Sequence, residues 1–172
     1  MSTIGGSCTT TVGGKSRPRQ LRVSSAYKRS YSHLKPGVGH IEQVEIDFEP
    51  RCDDGTLPID SEWRVWYHRY LTDATERRDR PIAYDHNTPQ VLRENGFVDV
   101  HRIKLKIPVG EWSRGHWALG RMMRVCLGET LEALSMAPFT RTFIWDHPTV
   151  RRYCEDVNKV VQDADIHAYN DL

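Results

Sequence analysis

Side chains able to give or take a proton gather in two short stretches of this 172-residue sequence. His40, Glu42, Glu45 and Asp47 lie within "GHIEQVEID", and Tyr84, Asp85, His86 and Asn87 are consecutive. An imidazole or carboxylate held within reach of a substrate proton can act as a general base. Each stretch also has an architectural reading. Glu45 and Asp47 can form a strand terminus that accepts from loop amides, and His86 with Asn87 can form the turn before a helix capped by Thr88. His167 and Tyr169 are expected in sheet packing. The sequence offers no Ser-His-Asp set, no carboxylate pair at glycosidase spacing and no aromatic platform for nucleic acid, so no catalytic residue is assigned from it.

Other chemistry-bearing residue types point to no site. Cys8, Cys52, Cys126 and Cys154 form no C-x-x-C pair, which fits neither a zinc ribbon nor a disulfide framework and reads as free, buried thiols. The eight histidines are scattered without a His or Cys neighbour at ligand spacing, and no metal site is expected. "GGKS" at 13–16 imitates a phosphate loop, but the required earlier glycine is Thr9 and no hydrophobic strand precedes it.

The elements that would position these residues show as patterns. Leu21, Val23, Tyr27, Tyr31 and Leu34 follow a helical period over 20–34, closed by Pro36 and Gly37. Residues 41–48 alternate, which predicts a strand that buries Val44, Ile46 and Phe48. Asp60 is the expected cap of a helix of about 18 residues with Trp63, Trp66, Tyr67, Tyr70 and Leu71 inside. Thr88, Pro89 and Gly96 bracket a short helix, and 98–109 reads as an extended run with Ile103, Leu105 and Ile107 inward and Arg102, Lys104 and Lys106 outward. A helix over 116–136 carries a stripe of Leu119, Met122, Met123, Cys126, Leu127, Thr130, Leu131 and Leu134. The last helix, capped by Asp146 with Pro148 in its first turn, buries Val150, Tyr153, Cys154, Val157 and Val161. Its outer face offers the pairs Arg151–Glu155, Arg152–Asp156 and Glu155–Lys159. "IHAYNDL" begins one more strand.

With 38% hydrophobic and 27% charged residues, the chain has the composition of a globular protein with a real core. No apolar run reaches the roughly 18 residues of a membrane span and no apolar leader opens the sequence, which predicts an intracellular protein without membrane association. The net charge of +1 conceals a division: residues 1–36 carry seven cations and no acid, against −6 on the remainder. Such an arm can attract an acidic partner, although its cations are too dispersed for a nucleic-acid patch, and nucleic acid is not an expected partner.

Four blocks, "YSHLKPGVGHIEQVEIDFEP", "RPIAYDHNTPQVLRENGFVDV", "LGETLEALSMAPFTR" and "IHAYND", resemble the C-terminal half of the LaeA-type fungal methyltransferases. The resemblance runs from about Tyr27 to Asn170. It implies an α/β chain: a truncated Rossmann-like class I methyltransferase fold, its C-terminal three strands with flanking helices. The strand at 40–48 would be the fifth of that fold, 97–107 the sixth, and 166 onward the seventh, antiparallel between them. The cofactor implied is S-adenosylmethionine. The family's glycine motif, ribose-binding acid and adenine-side loop all precede "HLKPG", however, so no cofactor-binding residue is carried over and binding by this chain is in doubt. Residues 1–19 are expected as a flexible basic arm and 20–172 as the C-terminal part of a methyltransferase-like domain.

By that resemblance the chain regulates or catalyses a step of fungal secondary metabolism, with a nuclear or cytoplasmic location and a velvet-type regulator as protein partner. The alternative is a non-catalytic interaction module that uses the helices at 61–79 and 116–136. Self-association through an exposed sheet edge is a further expectation.

Overall fold

The computed structural model describes residues 18–172, so the readings placed on Cys8, on "GGKS" and on the arm before Pro18 lie outside the described residues. Helix α1, Pro18–His33, buries Tyr27 and stops ahead of Pro36 and Gly37, the latter at φ +74° where a side chain would be strained. A long irregular segment then leads to strand β1, Asp47–Cys52. The expected strand over 41–48 is therefore displaced toward the C-terminus. Val44 is 64% exposed and Ile46 is 40% exposed, against the expectation that they face the core. A strand needs a neighbour to hold its backbone, and only from Asp47 onward is one present.

The next rod is α2, Glu62–Val65, a π-helical stretch, Trp66–Leu71, and α3, Thr72–Glu76. Ser61, not Asp60, caps it by accepting from the Arg64 amide at 3.4 Å. Trp63, Trp66, Tyr67, Leu71 and Ala74 point inward as the spacing predicts. The π-helical turns carry extra residues per turn, which rotates the face and lets Tyr67 reach the sheet while Trp66 reaches a helix.

Helix α4, Thr88–Glu94, is short, with Asn87 rather than Thr88 at its cap position. Strand β2, Lys106–Pro108, is all that pairs regularly of the expected run over 98–109. Ile103 (77%) and Leu105 (53%) are exposed instead of buried.

Helix α5 spans Trp117–Thr142, six residues past its expected end, and passes through Pro138. A proline inside a helix forfeits one backbone bond. Phe139, fully buried among Tyr70, Phe143, Trp145 and Tyr153, offsets that loss, because aromatic rings at centroid distances of 5.4–6.4 Å bury much area. The buried stripe is Gly120, Met123, Leu127, Leu131, Ser135 and Phe139, while Met122 and Cys126 face solvent. Of the described cysteines, Cys154 is buried and Cys52 half-buried, so the expectation of buried thiols holds in part.

Helix α6, His147–Gln162, starts where Asp146 accepts from the Thr149 amide at 2.9 Å and buries Val150, Cys154, Val157 and Val161 against α5. Its outer charges pair differently from the helical spacing: Arg151 reaches Glu132 on α5 at 2.9 Å, and Lys159 meets Asp156 at 2.7 Å. At the centre of this layer the Trp66 indole N–H donates to Ser135 Oγ at 2.7 Å, and the hydroxyl donates to the Leu131 carbonyl at 2.7 Å. A buried polar pair of this kind is tolerable because each donor has its acceptor.

Strand β3, Ala168–Asp171, completes a three-stranded sheet in the order β1-β3-β2, antiparallel to both neighbours. The last strand in the sequence is thus the middle strand in space. Its register is fixed by Asp171, level with Asp47 on one side and Lys106 on the other. Just past β2 the Gly110 amide donates to the Gly120 carbonyl at 2.9 Å, which ties the sheet to α5. A methyl group on Gly120 would stand 1.9 Å from the Gly110 oxygen.

That contact predicts that Gly120→Ala destabilises the fold by about 1–3 kcal/mol through overpacking. Gly115→Ala, whose added methyl meets nothing within 4 Å, is expected to leave the urea unfolding midpoint nearly unchanged.

Candidate functional site

The two ends of the small sheet carry two groups of polar side chains. At the N-terminal end of β1, Asp47 is buried at 6% exposure and satisfied by three donors: Arg51 Nη2 at 2.7 Å, the Glu49 amide at 3.2 Å and the Tyr67 hydroxyl at 3.3 Å. Arg51 also pairs with Glu49, and its other terminal nitrogen lies 3.6 Å from Asp171. Lys104 Nζ completes the group at 2.7 Å from Asp171. Burial, reinforced by the charges of Asp47 and Glu49, holds the Tyr67 phenol well above its ordinary range, so it remains a donor. With its acceptor capacity taken up, Asp47 follows the architectural reading rather than that of a free base.

The same end opens into a cleft of about 900 Å³. His40, Glu42, Glu45, Asp47 and Tyr84 all line it, so residues from both proton-carrying stretches of the sequence meet around one space. Asp85 faces an adjoining hollow with Tyr27, Gln43 and Glu45. His86 stands outside the cleft lining, with Nδ1 3.4 Å from Arg102 Nη2, and the Arg102 guanidinium lies 4.9 Å from the centre of the Tyr84 ring. Asp85 Oδ1 accepts from the Asn87 amide at 3.0 Å and the Asp85 carbonyl accepts from Thr88 Oγ1 at 2.8 Å. Asp85 through Thr88 therefore build the turn that starts α4.

A second group occupies the opposite end, where β1 leaves the sheet and β3 enters it. Asp53 and Asp54 come from the turn after β1, opened by Gly55 at φ +80°, and His167 and Tyr169 come from β3 and the residue before it. Asp54 accepts from His167 Nδ1 at 2.6 Å, from Thr56 Oγ1 at 2.8 Å, from the Thr56 amide at 3.1 Å and from Cys52 Sγ at 3.1 Å. These bonds, that of Cys52 foremost, hold the Asp54 carboxyl well below the usual carboxylate range. An ionised carboxylate can only accept, so the His167 Nδ1–H is the donor to Asp54, and the other ring nitrogen, Nε2, is the one turned away from that bond. Trp112 lies against the ring with centroids 5.4 Å apart.

Beside this pair, Tyr169 donates to Asp53 at 2.8 Å, and Lys106 bridges Asp53 at 2.5 Å while its ammonium sits 4.4 Å above the Tyr169 ring. A carboxylate that orients a half-exposed imidazole is the arrangement a general base requires. Sequence reading assigned His167 and Tyr169 to sheet packing alone and passed over Asp53, Asp54, Thr56 and Trp112. The acidic pair before Gly55 was the visible signal, but its partners lie more than a hundred residues away.

The class defined by this fold is an α/β protein whose small mixed-origin sheet, with its last strand in the middle, is backed by a layer of helices. The chain is similar, over 85% of its own length, to secondary metabolism regulators of the LaeA type. It is 46% identical over 149 residues to the secondary metabolism regulator LAE1 of Cochliobolus heterostrophus, covering 85% of this chain and 48% of that protein. It is 40% identical over 150 residues to the secondary metabolism regulator laeA of Aspergillus flavus, covering 85% of this chain and 40% of that one. To the protein-methionine methyltransferase laeA of Emericella nidulans it is 36% identical over 149 residues, or 85% of this chain and 39% of that protein. The chain thus spans about half the length or less of these relatives. No family model and no solved structure matches it. Among the described residues, no helix is long and apolar enough to cross a membrane.

The bonds to Asp54 set an acid dependence. A carboxyl whose folded pKa lies below its unfolded value of about 3.9 contributes stability that is complete above that pH and lost as pH falls through the folded value. The urea midpoint should therefore fall from about pH 4 downward, and Asp54→Asn should flatten that acid limb.

Proposed function

We propose that this chain acts in the regulation of fungal secondary metabolism as the acceptor-side part of a class I, S-adenosylmethionine-dependent methyltransferase domain. The observation that carries the reading is the strand order β1-β3-β2 with the last strand antiparallel between the other two, as the family resemblance implies for its fifth, seventh and sixth strands. The relatedness to LAE1 and to a protein named for methionine methylation supports it independently.

The described residues do not themselves fit the methyl donor. A donor cradle needs a glycine-rich turn after a strand, where backbone can approach the ligand. Gly37 and Gly39 instead follow helix α1, and a methyl group on Gly39 would meet Leu34 and Lys35 of its own turn at 2.9 Å. What residues 18–172 contribute is positioning of the acceptor, the larger share of the work in a transfer of this kind.

On the acceptor side, His167 held by Asp54 is suited to remove a proton from a hydroxyl or amine acceptor. A thioether has no proton to lose. With a methionine acceptor, His167 and Trp112 would serve to hold the side chain, not to deprotonate it. Protein partners, a velvet-type regulator among them, belong to the same reading, and so does residence in the nucleus.

The test is a chimera in which this chain replaces the matching 149-residue stretch of the Cochliobolus regulator. It is expected to bind S-adenosylmethionine by calorimetry and to restore secondary-metabolite output in a strain lacking the native regulator. A folded chimera that does neither would refute the assignment. Within the chimera, His167→Ala is expected to lower transfer to oxygen or nitrogen acceptors by about 100-fold, and to leave transfer to a thioether within about tenfold of the parent.

A further inference from the structure

The imidazole suited to serve as a base sits where the ladder between β1 and β3 runs out. That ladder closes with Cys52 opposite Ala168, so the amide of His167, one residue earlier, has no place in it. The Thr56 hydroxyl takes that amide instead, accepting from it at 2.8 Å. The same hydroxyl donates to Asp54 Oδ1 at 2.8 Å, while Asp54 Oδ2 accepts from His167 Nδ1 at 2.6 Å. The bonds therefore close a ring. It runs from the His167 amide through the Thr56 hydroxyl and across the Asp54 carboxylate, and returns to the imidazole of His167.

Attraction between His167 and Asp54 is by itself a weak means of holding that geometry. Their side chains are 40% and 46% exposed, and water screens a pair so placed while both side chains lose rotamer freedom in forming it. Asp54 also stands on a turn past the end of β1, next to Gly55 at φ +80°. The other contacts touch one member each. The Cys52 thiol, a weak donor, bonds to Asp54 Oδ1 at 3.1 Å. Trp112 lies against the imidazole while its N–H goes to the Ala168 carbonyl. Among the described residues, Thr56 alone bonds to both Asp54 and His167.

We propose that Thr56 is a positioning residue, whose hydroxyl sets which oxygen of Asp54 faces His167 and so fixes the imidazole with its proton on Nδ1 and with Nε2 free for an acceptor. The use of Nε2 rests on the acceptor-side reading of the site; the bonded ring does not. A hydroxyl has one proton to give and lone pairs to receive with, so it can serve the carboxylate and the amide together. Valine keeps the shape of threonine and loses both bonds, whereas serine keeps the bonds and loses only a methyl group.

The test reads the histidine rings of the isotopically labelled chain by long-range proton–nitrogen NMR at about pH 8.5, well above the ordinary histidine range. His167 is assigned by the signal that His167→Gln removes. The parent ring is expected in the Nδ1–H form. Thr56→Val should move the ratio of Nδ1–H to Nε2–H forms about tenfold toward Nε2–H, the size of one lost hydrogen bond, with an unchanged far-ultraviolet circular dichroism spectrum. Thr56→Ser should restore the parent ratio. A parent ring in the Nε2–H form, a Thr56→Val ring like the parent's, or a Thr56→Ser ring like that of the valine variant would each overturn the proposal. If the valine variant does not fold, the parent decides: the Thr56 hydroxyl proton should exchange slowly and show an Overhauser contact to the His167 amide proton, and the absence of that contact would overturn the assignment. Because the imidazole is read directly, a chimera unable to transfer methyl groups would refute the acceptor-side reading and leave the role of Thr56 standing.

Discussion

Four residues, Ala168–Asp171, carry the architecture. β3 is hydrogen-bonded along both edges, and every one of its residues is buried. Neither β1 nor β2 pairs with another described strand, so each owes its regularity to this one neighbour. Isolated strands of three to six residues are not stable in water, and the sheet exists because its middle member is pinned. The pinning is done from the side: Asn170, fully buried, donates to the Glu49 carbonyl at 3.0 Å, and the Trp112 indole donates to the Ala168 carbonyl at 3.1 Å.

That dependence explains why both polar groups sit where they do. A strand in the middle, antiparallel to its neighbours, brings its N-terminal end against the exit of β1 and its C-terminal end against the entry of β1. His167 thereby meets Asp54 at one end, and Asp171 joins Arg51, Asp47 and Lys104 at the other. The two groups differ in character because they differ in burial. Around Asp47 and Asp171 the acids are nearly enclosed and every bond is structural. Around Asp54 the side chains are half-exposed, and an imidazole nitrogen is left over for a ligand.

The helical layer does a different task. Tryptophans from the rod at 62–76 and a continuous stripe of α5 form the core on which α6 closes, and the Trp66–Ser135 bond sets one register between two of those helices. The contact of Gly110 with Gly120 then transmits that register to the sheet. The helical layer and the end of the sheet together form one packed platform.

Helix character was legible in the sequence because it is local. The apolar spacing of Trp63, Trp66, Leu71, Val150, Val157 and Val161 and the Asp146 cap are fixed by a 3.6-residue period and a single side chain, and the structure keeps them. The family and the relative order of the three strands followed from motif blocks. Three things did not follow. Residues 41–46 and 98–104 alternate like strands, but alternation states a capacity for pairing, and among the described residues these stretches have no strand neighbour. Helix α5 runs through Pro138 because Phe139 lands among four aromatic rings brought there by other elements. The His167–Asp54 pair spans 113 positions. Local periodicity wrote the helices, but contacts between residues far apart in the chain decided where strands begin and which imidazole acquires a carboxylate, since neither hydrogen bonds nor burial between distant segments leave a mark on the spacing within either one.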